Sequence, residues 1–190
     1  MNTVPSAQHL TMTPTAVVRR SIALVAGVLL VAVGAQVSLP VPPSPVPFTL
    51  QLPAVLIVAG LLGVRLGATS MVVYLLLGCA GFPVFAPGGA PGVARLLGPT
   101  GGYLLAFPLA AAVVGRLVGD GSSLVRLGVG LLLGLSVIHA GGVAQLAVLN
   151  GSVPAAVAFG SLPFMLGDLL KLAIAGLIIL RFVPKTSALL

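Results

Sequence analysis

Apolar runs long enough to cross a membrane dominate this chain. A transmembrane helix needs roughly 20 apolar residues, or about 17 at the short end, and Gly and Pro interrupt the apolar sequence often enough to delimit such segments. The chain of 190 residues is 58% hydrophobic and 6% charged, with a mean hydropathy of +1.24, which is far from the balance of a soluble domain. We predict one all-α transmembrane domain over residues 1–190, with a polar N-terminal tail at 1–18 and six spans at 21–37, 52–64, 66–80, 102–118, 124–149 and 163–182.

The positions of the basic residues predict how these helices are oriented. Lys and Arg accumulate in the cytoplasmic loops of membrane proteins. The loops at 38–51 and 150–162 hold no charged residue, and the loop at 81–101 holds only Arg95. Both termini are therefore predicted to be cytoplasmic. All of the following basic residues then fall on the cytoplasmic face: Arg19, Arg20, Arg65, Arg116, Arg126, Arg181 and Lys185.

Composition also excludes several classes of function. The single cysteine, Cys79, rules out an intramolecular disulfide framework, and no Cys or His spacing is typical of a metal site. The basic residues are scattered singly between apolar runs, which is not the pattern of a nucleic-acid surface. A cleaved secretory signal is an alternative interpretation of 21–37, but five further spans follow it.

Two outer loops have an unusual composition. Residues 38–51 are so rich in proline that they are predicted to form a stiff, extended cover over the helix ends. Residues 81–101 are apolar and broken by Gly and Pro, so their backbone must pack on protein or line a cavity. We therefore predict long outer loops that cap a ligand pocket, although a plain connector at 81–101 is the alternative.

Two charges lie inside the predicted sixth span. Asp168 and Lys171 are three residues apart, on one helical face near its outer end. A charge in a spanning helix costs about 2.5 to 3.5 kcal/mol on insertion scales, so such residues face the protein interior. They form either a structural ion pair or, together with Arg95, a polar pocket for a small ligand that carries a carboxylate and N–H donors. His139 and Gln145 in the fifth span are candidates for interhelical hydrogen bonds.

Small and glycine residues mark two further positions. Gly98, Thr100 and Tyr103 belong to a Gly-Pro-rich helix start, where glycine permits close approach and free N–H groups attract an anion or a carbonyl oxygen. The first span carries a small-residue face that allows another helix to come close. That helix is either a neighbour in the same chain or a separate subunit; the residues are Ala23, Gly27 and Gly34.

Three segments together resemble one known family. They are LPVPPSPVPFTLQ at 39–51, YLLLGCAGFPVFAPGGAPGVARLLGPTGGYLLAF at 74–107 and PFMLGDLLKLAIAG at 163–176. This combination, in this order, closely resembles the BioY family, which comprises the biotin-specific substrate-binding S components of energy-coupling factor (ECF) vitamin transporters. The resemblance covers nearly the whole chain beyond residue 20.

The resemblance implies a function in transport. A BioY-like chain would capture biotin with high affinity and support its uptake across the bacterial cytoplasmic, or inner, membrane. Its partners would be biotin, membrane lipid, a transmembrane coupling subunit and two cytoplasmic ATPase subunits, with no nucleic acid and no cofactor. The sequence holds no Walker motif, so the chain is predicted to be no enzyme, with ATP hydrolysis left to the partners. The small-residue face of the first span would contact the coupling subunit.

The same resemblance assigns Asp168, Lys171 and Arg95 to ligand binding. We expect Lys171 or Arg95 to hold the biotin carboxylate, and Asp168 to accept a hydrogen bond from a ureido N–H. The apolar parts of biotin would pack on aromatic rings. A stand-alone secondary permease, an S component for another small vitamin, and a structural subunit without ligand remain the alternatives. The full predicted binding set is Asp168, Lys171, Arg95, Tyr103, Thr100, Gly98, Phe85 and Phe82.

Overall fold

The computed structural model describes residues 14–187, which are mostly helical. Five helical segments in this part of the chain are long and apolar enough to cross a membrane. This confirms the predicted class, a largely helical membrane protein. Two short strands, β1 (Ser38–Leu39) and β2 (Phe48–Thr49), pair antiparallel, and a 3₁₀ turn covers Leu162–Phe164. The helices are α1 (Pro14–Gln36), α2 (Gln51–Cys79), α3 (Ala94–Leu97), α4 (Gly101–Val118), α5 (Leu124–Asn150), α6 (Val153–Gly160) and α7 (Met165–Ser187).

Helix α2 consists of two antiparallel halves. Its backbone is broken at Gly63, where φ is 71°, a conformation that favours glycine. The amide Nε2 of Gln51, at the start of α2, donates a hydrogen bond of 2.6 Å to the hydroxyl of Tyr74 near its end. In a straight helix these residues would be about 35 Å apart. The predicted spans at 52–64 and 66–80 therefore correspond to two helical segments that turn back on each other.

The rest of the helices pack around α2. Helices α1, α4 and α7 all contact it, and α5 packs on the side of α4. The core between them is apolar, with Val55, Leu56, Met71 and Val114 fully buried. Large apolar side chains such as Val25, Leu29 and Leu166 remain exposed on the outer surface, as expected for helix faces in contact with lipid.

Four arginines gather at one end of the helices, namely Arg65, Arg116, Arg126 and Arg181. Gly115 approaches the backbone of Gly63 and Val64, which brings the break in α2 beside Arg65 close to the end of α4 that carries Arg116. Gly121, close to Arg126, contacts Val183, close to Arg181. At this end Asp120 is exposed and lies 3.4 Å from Nη2 of Arg126. Hydrogen bonds from Ser122, together with the charge of Arg126, lower the pKa of the Asp120 carboxyl.

The N-terminal helix begins earlier than predicted. Helix α1 already includes Pro14, so the part of the predicted polar tail from 14 to 18 is helical, and the remainder lies outside the described residues. Ala16, Val17 and Val18 lead directly into the apolar run. Arg is a good helix former whose long side chain keeps its charge in water, so Arg19 and Arg20 do not end the helix.

The predicted loops at 38–51 and 150–162 are also more ordered than predicted. Within the predicted loop at 38–51, residues 38–49 form a short hairpin closed by β1 and β2, not a simple extended cover. The predicted loop at 150–162 contains α6, whose first turn is capped by Ser152: its Oγ accepts a hydrogen bond from the N–H of Ala155. The last helix, α7, begins at Met165 and runs to Ser187, beyond the predicted end at 182.

Candidate ligand-binding site

A cavity lies at the end of the helices opposite the basic residues. The space between its lining atoms, including the part open to solvent, is about 630 Å³. The β2 hairpin, the first turns of α2 and α4, the loop at 81–100, α5 and α7 form its walls. Five aromatic rings line it, those of Phe48, Phe85, Tyr103, Phe107 and Phe164.

Asp168 and Lys171 form a buried ion pair on one wall of this cavity. Nζ of Lys171 donates to Oδ1 of Asp168 over 2.9 Å, and the two residues are 7% and 2% exposed. The Lys171 ammonium also lies 3.3 Å from the centroid of the Phe48 ring, which is a cation–π contact. The carboxylate and the ring together compensate the charge of Lys171.

His139 supplies a second partner for the same carboxylate. Its Nε2 lies 2.9 Å from Oδ2 of Asp168, and its Nδ1 lies 2.9 Å from Oγ of Ser161. Gln145, the other polar residue of α5 considered above, donates to the backbone oxygens of Leu96 and Gly98. Both residues therefore make the interhelical or helix–loop hydrogen bonds for which they were candidates.

Arg95 is a second buried cation that lines the cavity. It is 9% exposed, and its guanidinium donates to the backbone oxygen of Ala86. Its Nε has no hydrogen-bond partner, and none of the carboxylates in residues 14–187 forms a salt bridge with it. Burial lowers the pKa of the Arg95 guanidinium, although arginine stays charged in proteins. The hydroxyl of Thr100 in the same cavity is also buried, and no described residue is its hydrogen-bond partner.

The loop at 81–101 packs on the protein, as its composition predicted. Tyr74 donates a hydrogen bond to the backbone oxygen of Val84, and the side-chain amide of Gln36 reaches the backbone oxygens of Pro83 and Phe85. Gln145 holds the other end of the loop. These contacts place Phe85 and Arg95 inside the cavity.

The structure brings six of the eight predicted binding residues to this cavity. Phe82 is 58% exposed and does not line it. Gly98 lines a neighbouring outer cleft instead, and its backbone oxygen is occupied by Gln145. The six that line the cavity are Asp168, Lys171, Arg95, Thr100, Tyr103 and Phe85.

Sequence reasoning missed Phe48 and gave His139 no part in the site. Phe48 follows a proline-rich stretch, and nothing in its local sequence indicates that the hairpin folds back over α7. His139 is 29 residues from Asp168, so only the packing of α5 near α7 reveals their contact. The one available signal was that His139 is a polar residue within an apolar span.

The small-residue face of α1 packs against α2. Gly27 is buried beside Val58, Leu62 and Ser70, and Gly34 is buried against the backbone of Leu50. Ala23 is half-buried. Gly27 and Gly34 therefore serve the intramolecular neighbour, because a residue without a side chain lets α2 approach closely. Contact of this face with a separate subunit stays a prediction.

These features define a class of protein, a multi-pass helical membrane protein with a substrate-binding pocket under its loops. The family model described as BioY family matches residues 6–188, and the chain belongs to the BioY family.

Individual relatives agree with this assignment. The chain is 42% identical over 154 residues to the "Biotin transporter BioY" of Thermotoga maritima, a match that covers 80% of this chain and 88% of the relative. It is 42% identical over 159 residues to the "Probable biotin transporter BioY" of Pyrococcus horikoshii, covering 84% and 93%.

A solved structure has the same fold. The crystal structure of the S-component for biotin from an ECF-type ABC transporter superimposes with a TM-score of 0.82 at 26% sequence identity. The match covers 90% of this chain and 93% of the other. The shared fold therefore extends over most of both chains.

Proposed function

We propose that this chain is the biotin-specific substrate-binding component of an ECF-type transporter in the cytoplasmic membrane. The relatives named as biotin transporters and the structure of a biotin S-component support this function. The cavity adds an independent chemical argument, because it combines one acid, two cations and aromatic walls. Biotin has a carboxylate, two ureido N–H donors and an apolar ring system with an aliphatic chain.

The observation that carries the proposal is the uncompensated charge of Arg95. A buried charge without a partner is costly, and proteins pair such charges with an ion or a ligand. Lys171 already has Asp168 and the ring of Phe48, whereas Arg95 has no acid among the described residues. Of the two cations, Arg95 and not Lys171 would therefore bind the biotin carboxylate. The unpaired hydroxyl of Thr100 offers a further polar contact.

The wall that carries Asp168 would bind the ureido end of biotin. Asp168 carries two acceptor oxygens, each with a lone pair beyond those used by Lys171 and His139. One of these would accept a ureido N–H. The apolar part of biotin would lie between the two walls, on Phe85 and Tyr103, and Phe82 and Gly98 are left out of the contact set.

The transport arrangement extends this proposal. We infer six membrane crossings with both termini in the cytoplasm, supported by the reversal of α2 at Gly63 and by the basic residues at the end opposite the cavity. Biotin would enter from outside under the loops at 38–51 and 81–101. ATP hydrolysis would be the task of two cytoplasmic ATPase subunits, coupled to this chain through a transmembrane partner.

A binding assay on detergent-purified protein tests the proposal. Radiolabelled biotin should bind, and unlabelled biotin should displace it whereas thiamine and riboflavin should not. Asp168→Asn, Lys171→Ala and Arg95→Gln should each weaken binding by about 100-fold or more, because removing one partner of a buried charge pair leaves the other uncompensated at about 3–5 kcal/mol.

Two matched variants control for the change of charge. Asp120→Asn and Arg126→Gln alter an exposed pair far from the cavity and should bind biotin like the wild type. Gel filtration of each variant checks that it remains folded. Wild-type affinity in the folded Asp168→Asn and Arg95→Gln proteins would overturn the assignment of the pocket, and preference for another vitamin would overturn the assignment of biotin.

A further inference from the structure

His139 connects the carboxylate in the cavity to the outer loop between α6 and α7. It reaches Asp168 through Nε2 and Ser161 through Nδ1, both over 2.9 Å, and its side chain is only 14% exposed. The ring also meets Tyr103 edge-on, with centroids 6.1 Å apart. Both ring nitrogens are thus engaged by side chains from other elements.

The two partners determine which nitrogen carries the proton. Asp168 is paired with Lys171, and an ionised carboxylate can only accept hydrogen bonds. The proton must therefore be on Nε2, which donates to Oδ2 of Asp168. In a neutral imidazole Nδ1 is then an acceptor, and Ser161 is the residue that donates to it.

This arrangement fixes the orientation of Asp168. Lys171 binds Oδ1 and His139 binds Oδ2, so the carboxylate is held on both sides and its plane cannot turn freely. A ligand N–H then meets an acceptor that is already in place, and it does not have to order that side chain on binding. Without the histidine, one oxygen of a buried carboxylate would lose its partner.

We propose that His139 is a positioning residue for biotin, which acts through Asp168 and is held on its other side by Ser161. The inference rests on the proposed function, because it concerns the group that would receive the ureido end of biotin. The competing explanation is a purely structural bond between α5 and α7, which would affect stability and leave the affinity of the folded protein unchanged.

The ring nitrogens of His139 can be observed directly. The chain has two histidines, His9 and His139, so His9→Gln leaves His139 as the only one. In protein labelled with ¹⁵N-histidine, NMR should show a protonated Nε2 and an unprotonated Nδ1. Addition of biotin should shift the Nε2 signal, because Asp168 then accepts an additional donor. A protonated Nδ1 beside an unprotonated Nε2, or ring signals that do not respond to bound biotin, would contradict the proposal.

Affinity measurements on three variants test the role itself. His139→Leu removes the donor and should weaken biotin binding about 10- to 100-fold, as expected for one lost hydrogen bond to a charged group. His139→Gln keeps an N–H donor of similar reach and should recover most of that loss. Ser161→Ala removes only the partner of Nδ1 and should have a smaller effect than His139→Leu.

The outcomes separate this inference from the proposed function. If wild-type protein binds no biotin, the proposed function fails. If the wild type binds biotin and folded His139→Leu binds it equally well, the positioning role fails alone. Equal losses in His139→Leu and His139→Gln would also overturn it, since the donor would then not matter. If His139→Leu does not fold, the affinity of His139→Gln and the NMR measurement still test the positioning role.

Discussion

At the scale of single residues, the sequence Gly167-Asp168-Leu169-Leu170-Lys171 functions together with a residue from a distant loop. Phe48 lies over the Lys171 ammonium, and it can do so because Gly167 has no side chain. A Cβ atom at Gly167 would lie 2.5 Å from Cε2 of the Phe48 ring. The glycine thus allows the Phe48 ring to help compensate the buried charge of Lys171. This help matters because the Asp168 carboxylate binds His139 as well as Lys171.

Gly167→Ala should weaken biotin binding. The added methyl group would displace the Phe48 ring from Lys171, and a desolvated cation–π contact is worth about 2 kcal/mol, or about 30-fold in affinity. Gly176→Ala is the matched control in the same helix, because its Cβ would meet only Leu131 at an ordinary 3.4 Å. Titration with radiolabelled biotin compares the two, and equal affinities would show that the position of Phe48 does not matter.

Only part of the site could be predicted at this scale. The sequence indicates Asp168, Lys171 and Arg95 as site residues, because a charge within or beside an apolar span is costly and usually pairs with another group or binds a ligand. Phe48 is an ordinary residue in its local context, and His139 is marked only as a polar residue within an apolar span. Their roles arise when the hairpin at 38–49 folds over α7 and when α5 turns one face toward Asp168, and neither event leaves a periodic pattern in the sequence.

At the scale of helices, glycine decides where two backbones come close. Gly34 in α1 lies where the chain enters α2: its backbone oxygen accepts a hydrogen bond from the N–H of Leu50, and a Cβ atom there would lie 2.7 Å from the Leu50 oxygen. This contact fixes the end of α1 next to the hairpin that carries Phe48. Close packing of α1 therefore supports the cavity wall indirectly.

Gly34→Ala should lower the thermal stability of the purified protein. The methyl group would press on a backbone oxygen that cannot move aside easily, and overpacking of this kind costs about 1–3 kcal/mol. Gly128→Ala is the control, since Gly128 is exposed in α5 and a Cβ there meets nothing within 4 Å. That change should be neutral or slightly stabilising. The melting temperatures in detergent report both, and an unchanged value for Gly34→Ala would contradict the tight contact.

The sequence predicts the bounds of some helices better than those of others. α4 and α5 begin and end within one residue of the runs at 102–118 and 124–149, because glycine and polar residues bound them. The small-residue face of α1 indicated a close partner without saying which one. α6 was missed because eight residues are too few for a clear apolar pattern, although Ser152 and Pro154 are typical of a helix start.

At the scale of the whole molecule, the two ends have different chemistry. The cavity and its covering loops occupy one end, and the turns that carry Arg65, Arg116, Arg126 and Arg181 occupy the other. The reversal of α2 at Gly63 is what places Arg65 at the basic end. A charge pattern of this kind predicts the cavity on the outer side of the membrane, where an uptake component has to meet its ligand.

Labelling of single cysteines in intact cells tests this orientation and the number of crossings. Cys79→Ala gives a background without cysteine, since the chain has only one. Into it are placed Ala90→Cys in the exposed part of the 81–101 loop, Val64→Cys at the break in α2, and Ser122→Cys at the basic end. A membrane-impermeant maleimide should label position 90 from outside, and positions 64 and 122 only after the cells are permeabilised. Biotin binding by each variant shows that it has folded. External labelling at position 64 would mean that the two halves of α2 do not each cross the membrane, and labelling of 122 but not 90 from outside would reverse the orientation.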